Sequence, residues 1–160
     1  DHGGRWVEIG RRLHDAFAGD DQPSIAVTAA GAIPFYSQLP AVDMLGLCDP
    51  DVDQFLVRRR MNVGHERLIP LHLLRQRGVN FLIGHPRLAE QRAIGAQPFT
   101  YADFTRPGLF LFPDESDLYG ADLIEMPLSS GEELLMVYLT PTPAINARLA
   151  QLGWRRYPLR

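Results

Sequence analysis

"SIAVTAAG", residues 24–31, is the stretch on which the fold turns. It is short, partly β-branched and bounded by Pro23 and Gly31, the pattern of a buried strand. Just before it, residues 5–18 carry apolar groups at Trp6, Ile9, Leu13, Ala16 and Phe17. Steps of three and four residues put these on one helical stripe. Gly19, Asp20 and Asp21 end that helix, and Pro23 blocks its continuation. A helix, a turn, an apolar strand and a glycine open a layered α/β domain.

Downstream the same logic extends the sheet. "AVDML" (41–45) reads as a second strand. Residues 66–78 read as helical in their latter part, with Pro70 suited to the first turn and Gly78 just past the end. "VNFLIGHP" (79–86) is the next strand, and a helix feeding a buried strand implies a crossover connection. Residues 87–122 have weak periodicity, with "GLFLFP" (108–113) a short-strand candidate. "ADLIEMPL" and "EELLMVYLTP" flank "SSG" and predict an antiparallel hairpin. "PAINARLAQLGW" (143–154) closes the chain with an amphipathic helix. The expected architecture is α/β: a single layered domain over residues 1–160, a mixed β-sheet with helices packed on it.

Composition narrows the functional classes. The 160 residues are 46% hydrophobic, enough for one sizeable core. A net charge of −3 is too mild for a nucleic-acid surface, although all 16 basic residues are Arg. The longest apolar runs, such as "LLMVYL" (134–139), are too short to cross a bilayer. The single Cys48 excludes an internal disulfide and any multi-cysteine zinc site.

Several familiar motifs fail. No G-x-G-x-x-G follows the first strand, and there is no P-loop and no nucleophile elbow. "DPDVDQFLVRRR" (49–60) starts like a calcium loop but has Gln54 where Gly is needed and Arg60 where a bidentate Glu is needed. The five histidines lack zinc spacing, so neither a metal nor a cofactor is expected. A strand-end His85 suits a hydrogen-bonded structural role. Trp6 and Trp154 suit either the core or a membrane interface.

The candidates for function cluster between residues 31 and 66. Tyr36 can cap the core with its ring or turn its hydroxyl to a sugar. Asp43 lies in an apolar strand, where a carboxylate must be paired or hydrogen-bonded. It is either an internal strut or a group facing a pocket at the strand's carboxyl end, where open α/β sheets place ligands. Asp49 before Pro50 has the pattern of a helix N-cap. His65 and Glu66 follow a glycine in a loop; they suit acid–base or hydroxyl-binding roles, or a helix start.

Taken in order, Gly31, Ile33, Pro34, Tyr36 and Ser37, then Asp43, Gly46, Leu47 and Asp49, then Gly64, His65 and Glu66 form a distinctive set. It resembles the C-terminal soluble domain of bacterial membrane-embedded glycosyltransferases of the GT-C type. These use polyprenyl-phosphate sugars and include arabinofuranosyltransferase-like members. The resemblance covers residues 24–86; Phe35 stands where Tyr is usual and Arg67 where Lys is frequent. It implies a preceding bundle of membrane helices, in keeping with a chain that does not begin with Met, and a place on the extracytoplasmic (periplasmic) face of the inner membrane. It also implies that catalysis belongs to the membrane part and that this domain contacts acceptor glycan or polyprenyl-phosphate sugar, or shapes the entrance. Tyr36, Asp43, Asp49, His65 and Glu66 are then the ligand-binding candidates, and none is catalytic. The rival expectations are a stand-alone hydrolase or transferase using Asp43, Asp49 and His65, and a purely structural domain packed on its own membrane helices.

Overall fold

The structure, a computed structural model, describes residues 2–28, 30–47, 57–58, 67–104 and 118–160. The expected α/β architecture is present: one six-stranded mixed sheet with helices on it. Helix α1 (His2–Phe17) leads into β1 (Ile25–Val27), α2 (Ala32–Ser37) and β2 (Ala41–Asp43). A small pair follows, β3 (Val57–Arg58) and β4 (Arg67–Leu68), then α3 (Leu71–Gln76) and the long β5 (Phe81–Glu90). Helix α4 (Tyr101–Phe104), the hairpin β6 (Asp122–Pro127) and β7 (Glu132–Tyr138), α5 (Pro143–Leu152) and β8 (Arg155–Pro158) complete the described order.

The strand order β2-β1-β5-β7-β6-β8 divides the sheet in two. β2, β1 and β5 are parallel, joined by helical crossovers. β5, β7, β6 and β8 are antiparallel neighbours. β5 belongs to both halves and is irregular where they meet. Between Leu82 and Arg87 its ladder with β7 slips, around Gly84 with its φ of 61°. His85 sits in this irregular stretch, its ring edge-on to Trp6 at 5.7 Å.

Strand alternation sorts the core onto two faces. One carries Ile25, Val27, Phe81, Ile124, Met136 and Tyr138 and is covered by the buried stripe Ile9, Leu13, Ala16 and Phe17 of α1, with Ile33 of α2 and Ile145 and Leu149 of α5. The other carries Ala26, Leu82, Leu123, Leu135 and Val137 and is covered by Leu71 and Leu74 of α3. The helix ends follow their local chemistry. Thr142 caps α5 by accepting from the Ile145 N–H at 3.3 Å, Pro143 fills the first turn, and Gly153 closes it in the left-handed region. Asn80 ties the two halves at one end of the sheet: its Oδ1 accepts from Ser24 N at 2.9 Å and its Nδ2 donates to Thr140 O at 2.9 Å.

α1 also grips the hairpin. Arg12 donates twice to Pro127 O, at 3.0 and 2.8 Å, and Glu8 accepts from Ser129 N and Oγ at 2.5 and 2.6 Å. Those two donors from Ser129 hold the Glu8 carboxyl below its ordinary pKa.

Some expectations change. The strand expected at 79–86 runs on to Glu90, past Pro86, and β8 was not foreseen. "IPFYS", to which no element was assigned, is helical: Pro34 stands in the first turn of α2, where no N–H partner is needed. The short helix near Asp49 and the strand at 108–113 lie outside the described residues.

Candidate functional site

The parallel strands bring the motif segments to one edge. Val27 and Asp43 are paired at the carboxyl ends of β1 and β2. Sharing Val27's face, Asp43 lies on the side covered by α1 and α2. It is 7% exposed, and its Oδ1 accepts from Leu45 N at 3.0 Å. That bond closes a turn on the carboxylate two residues back, the Asx geometry that ends β2. Asp43 thus closes the turn that ends its own strand.

α2 starts from the same edge. A hollow there is lined by Ala30, Gly31, Ala32, Pro34 and Phe35. Helical side chains lean toward the N-terminus, which carries the Phe35 ring back over the hollow. Phe35 is 74% exposed, and Leu47, just beyond β2, is 73% exposed.

Tyr36 takes the packing role, one of the two expected of it. It turns toward α1, half-buried, with Arg11 over its ring at 5.1 Å and Phe35 edge-on at 5.1 Å. Gly10 makes this possible: a Cβ there would lie 2.7 Å from the Tyr36 Cβ and 3.0 Å from Ile33 O. The aromatic offered to solvent is the neighbouring Phe35. Asp49, His65 and Glu66 lie outside the described residues.

A second constellation occupies the antiparallel half. Register places Glu125 opposite Arg155 of β8 and Leu135 of β7, with Tyr157 and Glu133 on the same face. Glu125, 2% exposed, is held by three partners. Arg92 Nη2 and the Tyr157 hydroxyl donate to its Oε1, and Arg155 Nη1 lies 3.3 Å from its Oε2. A buried carboxylate needs such pairing to be tolerated.

The same side chains strap residues 91–100 across the sheet. Arg92 bonds Gln97 O and lies 3.8 Å over the Phe99 ring. Arg155 Nη2 donates to Ala96 O at 2.7 Å, and Tyr157 accepts from Phe99 N at 3.1 Å. Burial and the Glu125 carboxylate push the Tyr157 phenol up to about 12.

Glu133 completes the group. It is 6% exposed, and its carboxyl meets that of Glu125. Burial first, then this contact and the negative charge of Glu125, raise its pKa to about 7, against the partial relief of Arg92 and Arg155. A carboxylic acid that titrates near neutrality can donate as well as accept a proton.

None of this cluster was singled out from the sequence. The signal was there in "ADLIEMPL" and "EELLMVYL": Glu125 and Glu133 are carboxylates in apolar strands, the same argument that marked Asp43. Among the described residues no group of three His, Cys, Asp or Glu side chains is arranged to hold a metal ion, and no helix is long and apolar enough to cross a membrane.

A protein-family model described as "Domain of unknown function (DUF8728)" matches residues 2–126. The chain belongs to this family. The DUF8728 match runs from α1 through β6, so it takes in the strand-end hollow, Arg92 and Glu125 and stops before Glu133 and β8. No curated protein and no solved structure matches the chain.

Proposed function

We propose that this chain is an extracytoplasmic accessory domain of a membrane glycosyltransferase. It contacts acceptor glycan, or shapes the entrance to the membrane site, and is not catalytic by itself. The membrane helices that would anchor it are its natural partner, and a polyprenyl-phosphate sugar is the donor class the resemblance implies. The reading is carried by one observation: the exposed Phe35 ring beside a hollow at the carboxyl edge of β1 and β2, where Asp43 ends its strand. Open α/β sheets place ligands at this edge, and an aromatic face suits the C–H face of a sugar.

The test is a transfer assay on the full-length membrane protein. Phe35→Ala should raise KM for the acceptor about tenfold with kcat nearly unchanged, the sign of lost uniform binding. An unchanged KM, or a full-length protein that transfers no sugar, contradicts the proposal. A second reading has its own observation. The Asp43–Leu45 turn and the Gly10–Tyr36 crossing give Asp43 and Tyr36 contacts inside the fold, which favours a structural domain packed on its own membrane helices. On that reading Phe35→Ala leaves KM unchanged.

A further inference from the structure

A cleft of about 710 Å³ opens beside the Glu125–Glu133 cluster, at the end of the sheet formed by β6, β7 and the start of β8. We infer that it binds a small neutral polyhydroxyl molecule, about one or two sugar rings in size, with Trp154 as the stacking wall and Glu133 as an acceptor of hydroxyls. The inference does not rest on the strand-end hollow, which belongs to the other half of the sheet.

Polar groups without partners point to a ligand. Oε2 of Glu133 has no hydrogen-bond partner, and the residue is more than nine-tenths buried and lines the cleft. Arg92 Nε is an unpartnered donor on the same lining, whereas Arg155 Nη1 and Glu125 Oε2 face each other as an ion pair at 3.3 Å. A buried polar group without a partner is costly, so each favours a ligand that can pair with it. A lone acceptor and a lone donor on one wall are both matched by hydroxyl groups, which donate and accept at once.

Charge decides the ligand's class. The lining holds three guanidinium groups, Arg12, Arg92 and Arg155, and three carboxyls, Asp15, Glu125 and Glu133. Above about pH 7, where Glu133 is ionised, an anion would meet the carboxyls and a cation the guanidiniums, so neither gains a net field. A neutral ligand meets both without repulsion. The apolar side fits as well. Trp154, half-buried with its indole edge-on to Phe17 at 5.8 Å, shares the wall with Leu152 and Ile94. The volume is in the range of small-molecule sites, about 300–1,000 Å³.

The experiment uses the whole chain with Trp6→Phe, which leaves Trp154 as the sole tryptophan fluorophore. Its emission is titrated with glucose, trehalose and methyl galactofuranoside, and with glucuronate and glucosamine as charged counterparts. A saturable change with at least one neutral sugar is expected, with a Kd of about 1 mM or tighter. Glu133→Gln, shown to be folded by circular dichroism, should weaken it about tenfold. Phe35→Ala should leave it unchanged, which separates this cleft from the strand-end hollow. No saturation with any neutral sugar overturns the inference, whatever the variants do. Tighter binding of glucuronate or glucosamine than of every neutral sugar overturns its charge argument and with it the assigned class.

Discussion

Glu125 and Glu133 stand diagonally across the β6–β7 ladder, on one face of the sheet, with their carboxyls in contact. Two carboxyls this close share their proton load, and here Arg92 and Arg155 decide how. Both guanidiniums reach Glu125, so Glu133 is the member that keeps its proton toward neutral pH.

The sign of the resulting pH dependence follows. Glu133 titrates near 4.5 when unfolded and at about 7 in the fold. Between those values the folded chain holds the extra proton. The stabilisation is complete below about pH 4.5 and is lost as pH rises to about 7. The full span is worth on the order of 3 kcal/mol. Glu133→Gln, which mimics the protonated acid, should flatten this part of the stability curve. Urea midpoints at pH 5 and pH 8 in both proteins measure it; equal pH slopes in the two would refute the assignment.

Gly10 is where α1 and α2 cross. Gly10→Ala gains about 1 kcal/mol of helix propensity but drives a methyl into the Tyr36 Cβ and the Ile33 carbonyl. Backbone cannot yield as a flexible side chain does, so overpacking wins and a net loss of about 1–3 kcal/mol is expected. Chemical denaturation reads this directly. A stabilised variant would mean that the helices separate freely there.

Asp43 distinguishes strut from ligand group. Asp43→Ala removes the acceptor of the Leu45 N–H and should cost about 1–2 kcal/mol. Asp43→Asn keeps an acceptor oxygen and should recover most of that loss. If the two variants are equally destabilised, the negative charge rather than the turn is what the strand end requires.

Asn80 bridges β1 and β7 through Ser24 and Thr140. Asn80→Ala leaves both backbone groups without that partner and should cost about 2 kcal/mol. Asn80→Asp keeps the acceptor for Ser24 N but sets a carboxylate oxygen against the Thr140 carbonyl, and should be no milder. Thermal melts read both; either variant as stable as the parent would contradict the bridge.

Legibility in the sequence followed the strength of local signals. α1, β1, the β6–β7 hairpin and α5 were readable because a period of three to four or of two ran over enough residues. β8 was not. "RRYP" is short and charged, and becomes a strand only by pairing with β6, so no local pattern announces it. α2 was concealed by Pro34, which reads as a turn unless it is recognised in a first helical turn. Tyr36 was singled out as the motif residue, but only the helical rotation decides which of the two rings meets α1. Asp43 was correctly marked as a buried carboxylate needing a partner. Glu125 and Glu133 obey the same rule, but their cations come from Arg92 and Arg155, 33 and 30 residues from Glu125, and sequence distance hides such pairing.

The central claim, glycan contact at the strand-end hollow, is tested most directly by titrating the isotopically labelled chain with a furanosyl oligosaccharide and following its NMR shifts. The account predicts saturable shifts at the Phe35 ring and at the amides of Gly31, Ala32 and Leu45, all abolished by Phe35→Ala. Unmoved resonances at these positions, in a chain that is otherwise folded, would contradict it.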